Sequence, residues 1–147
     1  MNKQVQSEPP RLCNPRINVP VTYTIDGDRK MVRTRCIGLV TLQEVIQHFQ
    51  TLEQDPDCPD LLDVFLDLSE MNSLPETREI SMVVGQMKRI RKQVRFGACA
   101  ILASRDAVIG MMRVFEVMAE ECFRVTRTFR SAKEAELWLT SQHWPDH

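Results

Sequence analysis

The stretch Leu62-Asp-Val-Phe-Leu-Asp-Leu68 decides the fold. It is short and mostly apolar, the composition of a central strand covered on both faces. Ala98-Cys-Ala-Ile-Leu-Ala103 is a second run of the same kind. Between them, Pro75-Glu-Thr starts a helix whose core face is Ile80, Val83, Val84, Met87, Ile90 and Val94. After the second run, Ser104 is expected to cap a further helix, with Val108, Met111, Met112, Phe115, Met118, Ala119 and Cys122 inward. Buried strands alternating with amphipathic helices imply βα units and a parallel sheet.

Upstream, Val21–Asp26 alternates apolar and polar residues, and Gly27 between Asp26 and Asp28 marks a hairpin turn. The return strand, about Lys30–Ile37, sets Val32, Thr34 and Cys36 on one face and Arg33 and Arg35 on the other. Thr41-Leu-Gln-Glu44 is a capping box that opens the first helix, with Leu42, Val45, Ile46, Phe49 and Leu52 as its buried stripe. Asp55-Pro-Asp-Cys-Pro59 ends that helix. Downstream, Arg124–Phe129 alternates as a strand. Ser131-Ala-Lys-Glu134 is a second capping box, before a helix with Ala135, Trp138 and Leu139 inward. The expected order is β-β-α-β-α-β-α-β-α, an α/β fold with a mixed, mostly parallel five-stranded sheet and four helices. It occupies residues 20–141 as one domain, after a proline-rich arm at 1–19 and before a short tail at 142–147.

Composition narrows the class. The 147 residues are 43% hydrophobic and 27% charged, near the soluble globular average, which excludes wholesale disorder. The longest apolar runs, Ala98–Ala103 and Ala107–Met112, are too short to span a bilayer. The first twenty residues carry four prolines and no apolar secretory core. A net charge of −1 conceals strong segregation: residues 1–40 carry +4, residues 41–77 hold nine carboxylates with no Lys or Arg, and residues 78–113 carry +6. Fourteen of the nineteen cations are Arg, which suits bidentate recognition of carboxylate or phosphate. The neutral balance argues against dedicated nucleic-acid binding and leaves a local anion site open.

Five cysteines (Cys13, Cys36, Cys58, Cys99, Cys122) are odd in number and lack a CxxC pair. Cys36, Cys99 and Cys122 fall in apolar phase and read as small buried hydrophobes. The three histidines, His48, His143 and His147, are too few and too scattered to support a catalytic thiol or a zinc site. No metal or cofactor is expected, and unpaired cysteines fit a reducing compartment, the cytoplasm.

The succession of elements resembles the STAS-like fold of the anti-sigma-factor-antagonist family. The resemblance rests on Ile37-Gly-Leu-Val-Thr41, on the strand ending Val64-Phe-Leu-Asp-Leu-Ser69, and on Ala100-Ile-Leu-Ala-Ser104 with the Gly110–Phe115 helix. The closing stretch Phe129-Arg-Ser-Ala-Lys-Glu-Ala-Glu-Leu-Trp-Leu139 completes it. Over about residues 20–140 the chain is most similar to the bacterial branch related to both STAS and CRAL-TRIO lipid-binding domains. The resemblance implies a regulatory interaction module. In the phosphorylated antagonists an Asp-Ser-Ser-Gly motif follows the central strand. Here Asn72-Ser-Leu-Pro-Glu-Thr77 stands in its place, which argues against a phosphorylation switch at Ser73 or Thr77.

Candidate chemistry is sparse. Asp63 and Asp67 share one face of a strand roughly 13 Å apart, too far for an acid/base pair on one bond. Asp67 and Ser69 stand at the carboxyl end of a parallel strand and Ser104 at the equivalent end of the next, the crevice where open α/β sheets take ligands. Arg105 beside it is a candidate anion contact at a helix N-terminus. No nucleophile, base and orienter can be assembled, so no enzyme is expected. On the second helix Lys88, Arg91, Lys92 and Arg95 fill one flank with no acidic residue four positions away. That flank is either a solvated face or an anion-binding one. On the third helix Gly110, Val114 and Val117 add a second apolar strip, covered by a neighbouring element or serving as an interface.

Two functions follow. One is a non-enzymatic regulatory module that docks a protein partner or a second copy of itself. The alternative is a carrier or sensor of a small amphipathic anion such as a lipid. A cavity above roughly 300 Å³ between the sheet and the second and third helices favours the carrier, and a filled core favours the module.

Overall fold

Strands β1 (Val21–Asp26) and β2 (Met31–Gly38) form the leading antiparallel hairpin, with Val21 opposite Cys36 and Asp26 opposite Met31. Gly27 does not supply its left-handed residue. Lys30 does, at φ 54°, and the Arg29 N–H donates to Asp26 Oδ1 at 3.2 Å. The structure is a computed structural model and describes residues 20–142. The expected arm at 1–19, Cys13, and all but the first residue of the tail lie outside the described residues.

The hairpin leads into α1 (Leu42–Glu53), β3 (Leu61–Met71), α2 (Thr77–Ile90), β4 (Arg95–Leu102), α3 (Asp106–Met118), β5 (Val125–Phe129) and α4 (Ala132–Ser141). The chain is thus α/β with a mixed sheet in the order β1-β2-β3-β4-β5, every pair after the hairpin being parallel. Sequence neighbours are sheet neighbours, so α1, α2 and α3 share one face and α4 covers the other. Leu62, Val64 and Leu68 of β3 join Leu52, Ile80, Val84, Met87, Met112 and Phe115 in one core. Phe65 of the same strand joins Ala98, Ala100, Leu102, Ala135 and Leu139 in the second. The central strand is covered on both faces, as its composition requires.

The ladder slips twice, and each slip is stitched by an aspartate. Between Leu62 and Val64, β4 places an extra residue opposite Asp63. The Ala98 N–H, left over by this bulge, donates to buried Asp63 Oδ1 at 2.8 Å. A side chain at Gly97 would put its Cβ 2.3 Å from that oxygen. Between Arg35 and Ile37 the extra residue lies in β3. There the Ser69 N–H donates to Asp67 Oδ1 at 2.9 Å.

Element ends depart from expectation in three places. Helix α2 stops at Ile90, where Arg91 is its C-cap and residues 91–93 turn, so Val94 is buried outside the helix and β4 begins at Arg95. The Arg95 N–H donates to Asp60 O, which pairs this residue with the start of β3 and precludes further helix. Ser104 is not the cap of α3. Arg105 occupies that position without a side-chain bond, while the Ser104 hydroxyl donates to Ser69 O at 3.2 Å. Lastly, α3 ends at Met118, and Ala119, Cys122 and Phe123 complete the core from the turn that follows. The Thr41 box is formed as expected: Glu44 N–H donates to Thr41 Oγ1 and Thr41 N–H to Glu44 Oε1.

Candidate functional site: a cavity between sheet and helices

Helix α1 is buried less completely than α2 or α3. Of the expected α1 stripe only Leu52 is fully buried; Leu42, Val45, Ile46 and Phe49 are half-buried. The reason is a cavity of about 390 Å³ beneath the helices. Its floor is Val32, Thr34, Cys36, Val64, Leu66, Leu68 and Cys99 of the sheet. Its roof is Leu42, Val45, His48, Phe49 and Leu52 of α1 with Ile80, Val83 and Met87 of α2, and Met112 and Phe115 of α3 close the far end.

The most exposed lining residues are Thr41 and Leu74, with Val40, Ser73, Pro75 and Glu79 beside them. The mouth therefore lies between the β2–α1 and β3–α2 loops, at the carboxyl ends of the parallel strands, where α/β sheets receive ligands. Gly38, at φ 71°, turns the chain from β2 towards Thr41. The Ser73 hydroxyl accepts from Val40 N–H at 3.1 Å and so ties the two loops together. Leu39 and Leu74 stand exposed at 75% and 49% on these loops.

Polar groups in the cavity wall are few. Thr34 is buried, and its Oγ1 lies 3.3 Å from His48 Nε2. The other ring nitrogen, Nδ1, is buried without a hydrogen-bond partner. The ring sits edge-on to Tyr23 and tilted on Phe49, at 5.3 and 5.4 Å between centroids. Burial lowers the His48 pKa to about 4, which keeps the imidazole neutral at ordinary pH. Burial likewise raises the Cys36 thiol to about 12 and pushes the Cys99 thiol still higher, so neither is a thiolate. The four described cysteines are unbridged.

The other expected site residues lie elsewhere. Asp67, Ser69 and Ser104 do come together at the sheet end. The Ser69 hydroxyl donates to Asp67 Oδ1 at 2.6 Å, and the Arg35 Nε lies 3.8 Å from Asp67 Oδ2 while its Nη2 pairs with Glu70. Asp67 shares the α4 face with Phe65, so this set stands across the sheet from the cavity, and its groups answer one another. Arg105 reaches Ser73 O at 3.4 Å, above the mouth side of the sheet. Ser73 holds the Val40 amide, and Thr77 is the exposed first residue of α2.

The basic flank does not form as one helix face: Lys88 lies in the last turn of α2, Arg91 is its C-cap, and Lys92 and Arg95 lie beyond it. Lys88 lies 3.6 Å from Glu121, and Arg91 donates to Glu121 O at 3.2 Å. The neighbouring Arg89 forks onto Glu53 at 3.1 and 3.2 Å. Other elements thus supply a carboxylate to Lys88 and to Arg89 and a backbone carbonyl to Arg91. Lys92 lies in the turn and Arg95 opens β4, at the opposite end of the strands from the mouth. Gly110, Val114 and Val117 do form a surface strip: Val117 is 67% exposed, and nothing stands within 4 Å of a Cβ built on Gly110.

His48 and Thr34 carry the polar chemistry that the sequence reading passed over. His48 falls between Val45 and Leu52 in the α1 stripe, and Thr34 on the buried face of β2, so spacing alone brought both to the interior. Among the described residues no group of His, Cys, Asp and Glu could hold a metal ion, and no helix is long and apolar enough to cross a membrane. The chain matches no family model and no curated protein.

Proposed function

We propose that this protein is a non-catalytic binding module that takes a small apolar or amphipathic molecule into the cavity under α1 and α2. The observation that carries the reading is the cavity itself. Its volume of about 390 Å³ falls within the roughly 300–1,000 Å³ of small-molecule sites. Folded interiors otherwise leave few voids larger than a water molecule. Its apolar wall, a mouth at the carboxyl ends of the strands, and the self-paired polar groups at the sheet end all favour binding over catalysis. Carrier and sensor are the two uses open to such a module, and a STAS-like regulatory role is compatible with both. Unbridged cysteines support a reducing, cytoplasmic setting.

Native mass spectrometry of the purified full chain is expected to retain an adduct of small-molecule mass, and Nile red is expected to bind and fluoresce. Val83→Phe, which fills the roof, should abolish dye uptake with the unfolding midpoint near native. A wild-type chain that takes up neither adduct nor dye overturns the reading. A second reading, self-association, draws on the strip of exposed Gly110 and Val117 with half-buried Val114, and on a net charge of −1 that sets little repulsion between copies.

A further inference from the structure

The mouth of the cavity carries an exposed apolar rim. Beyond the last β2–β3 pair, Gly38 with Met71, the two loops leave the sheet side by side. The Asn72 N–H donates to Gly38 O at 2.7 Å, and the Val40 N–H donates to Ser73 Oγ at 3.1 Å. Leu39 precedes Val40 and Leu74 follows Ser73, so one hydrogen bond holds both exposed leucines at the same end of the sheet. Val40 and Pro75 beside them are half-buried and line the mouth, which makes the rim continuous with the apolar wall inside. Single exposed leucines are ordinary on a protein surface; a pair fixed around the opening of an apolar cavity is a patch with a use.

The charge around the rim is of both signs. Arg105 donates to Ser73 O at 3.4 Å, which sets its guanidinium beside Leu74 with a carbonyl for a partner. Glu44 and Glu79 stand in the first turns of α1 and α2, at the same end of the sheet. Among the described residues lining the cavity there is no Lys or Arg. We infer that the rim docks on a lipid surface of zwitterionic headgroups, with Leu39 and Leu74 entering the acyl boundary, Arg105 meeting phosphate and the two glutamates meeting the ammonium groups. The inference rests on the cavity reading above and adds the source of the ligand. An apolar molecule that leaves a bilayer through water exposes its whole apolar area, at a cost in proportion to that area. A rim seated in the lipid lets it pass into the cavity without that exposure. Two leucines give only a brief contact, since even one myristoyl chain anchors reversibly, and a brief contact suits loading and release.

The test follows Nile red as it leaves the loaded full chain for phosphatidylcholine vesicles that contain a quencher lipid. The wild-type transfer rate should rise in proportion to vesicle concentration, as transfer through contact does. Leu39→Ser, at a residue outside the cavity lining, should slow transfer about fivefold while its Nile red affinity stays within about twofold. Leu39→Trp, read against the wild-type chain as blank, should shift its emission to the blue when the vesicles are added. A rate independent of vesicle concentration, a Leu39→Ser chain that transfers like wild type or loses dye affinity as much as transfer, or an unshifted Leu39→Trp overturns the docking and leaves the cavity reading standing. So does a wild-type dimer that Leu39→Ser disperses, which would make a second copy the occupant of the rim. No Nile red uptake by the wild-type chain overturns both.

Discussion

His48→Leu isolates the energetic consequence of burying an imidazole. The folded chain holds its pKa at about 4 against 6.5 for the free side chain, because burial disfavours the charged ring. The unfolded chain therefore binds a proton between those values that the folded chain refuses, and stability rises with pH across that window. At about 1.36 kcal/mol per unit, the interval is a penalty of roughly 3 kcal/mol, absent above pH 6.5 and fully developed by about pH 4. The groups facing the ring are Tyr23, Thr34 and Phe49. Tyr23 is raised to about 12 by burial and then by its hydrogen bond to Asp55, so it stays protonated throughout. Asp55, lowered by the Tyr23 hydroxyl, adds an acid sensitivity of its own, which the variant shares. The quantity to follow is the difference between wild type and His48→Leu in urea titrations from pH 7.5 to 4.5. At neutral pH the change removes both a partner for the Thr34 hydroxyl and the unpartnered Nδ1, opposing effects that should leave the two chains close in stability. On acidification the variant should become the more stable as the wild type alone loses stability. A difference that stays flat across the series would show that the ring titrates normally, and the buried, neutral His48 would be refuted.

Gly97→Ala should cost about 1–3 kcal/mol, because the new methyl meets Asp63 Oδ1 at 2.3 Å beside a packed core. Gly85→Ala, in the interior of α2 with open space around it, should instead stabilise by about 0.5–1 kcal/mol; urea midpoints of the two variants check both signs. Val114→Glu should shift sedimentation towards monomer if the α3 strip is a self-interface, with circular dichroism unchanged. A wild-type chain already monomeric at tens of micromolar removes that second reading. Replacing Lys88, Arg91, Lys92 and Arg95 together by Gln should leave the fold intact, at less than about 0.5 kcal/mol per exposed site. It should also leave Nile red uptake unchanged, since these residues lie at the end of α2 and the start of β4, away from the mouth.

How far the sequence carries depends on whether the deciding physics is local. The apolar runs around Leu62–Leu68 and Ala98–Ala103 can lie only in the middle of a sheet, and Thr41 with Glu44 announces a helix start within four residues. Those features were legible. The end of α2 was not. Ile90 and Val94 keep the helical period, and Arg91, Lys92 and Arg95 suit an exposed flank as well as a turn; the stop comes from pairing of Arg95 with Asp60, a contact between distant segments. The Asp63 and Asp67 stitches are of the same kind, since a register slip exists only once two strands have met. An apolar stripe tells which side of α1 faces the sheet but not how closely, so the cavity and the unpaired His48 nitrogen had no signature of their own.

Helix α1 is the part of the fold that answers for the void. It is 12 residues long, a length at which a helix in water depends on tertiary packing, yet Leu52 is the one side chain it buries completely. Its other apolar side chains face space, whereas β4 is buried from Phe96 to Leu102. Local unfolding draws on such differences. Amide hydrogens of α1 should accordingly exchange through local opening, well before those of β4, which wait for the whole domain to unfold. On the binding reading, a molecule held in the cavity would supply packing that α1 lacks, so occupancy and the rigidity of this one helix would rise together.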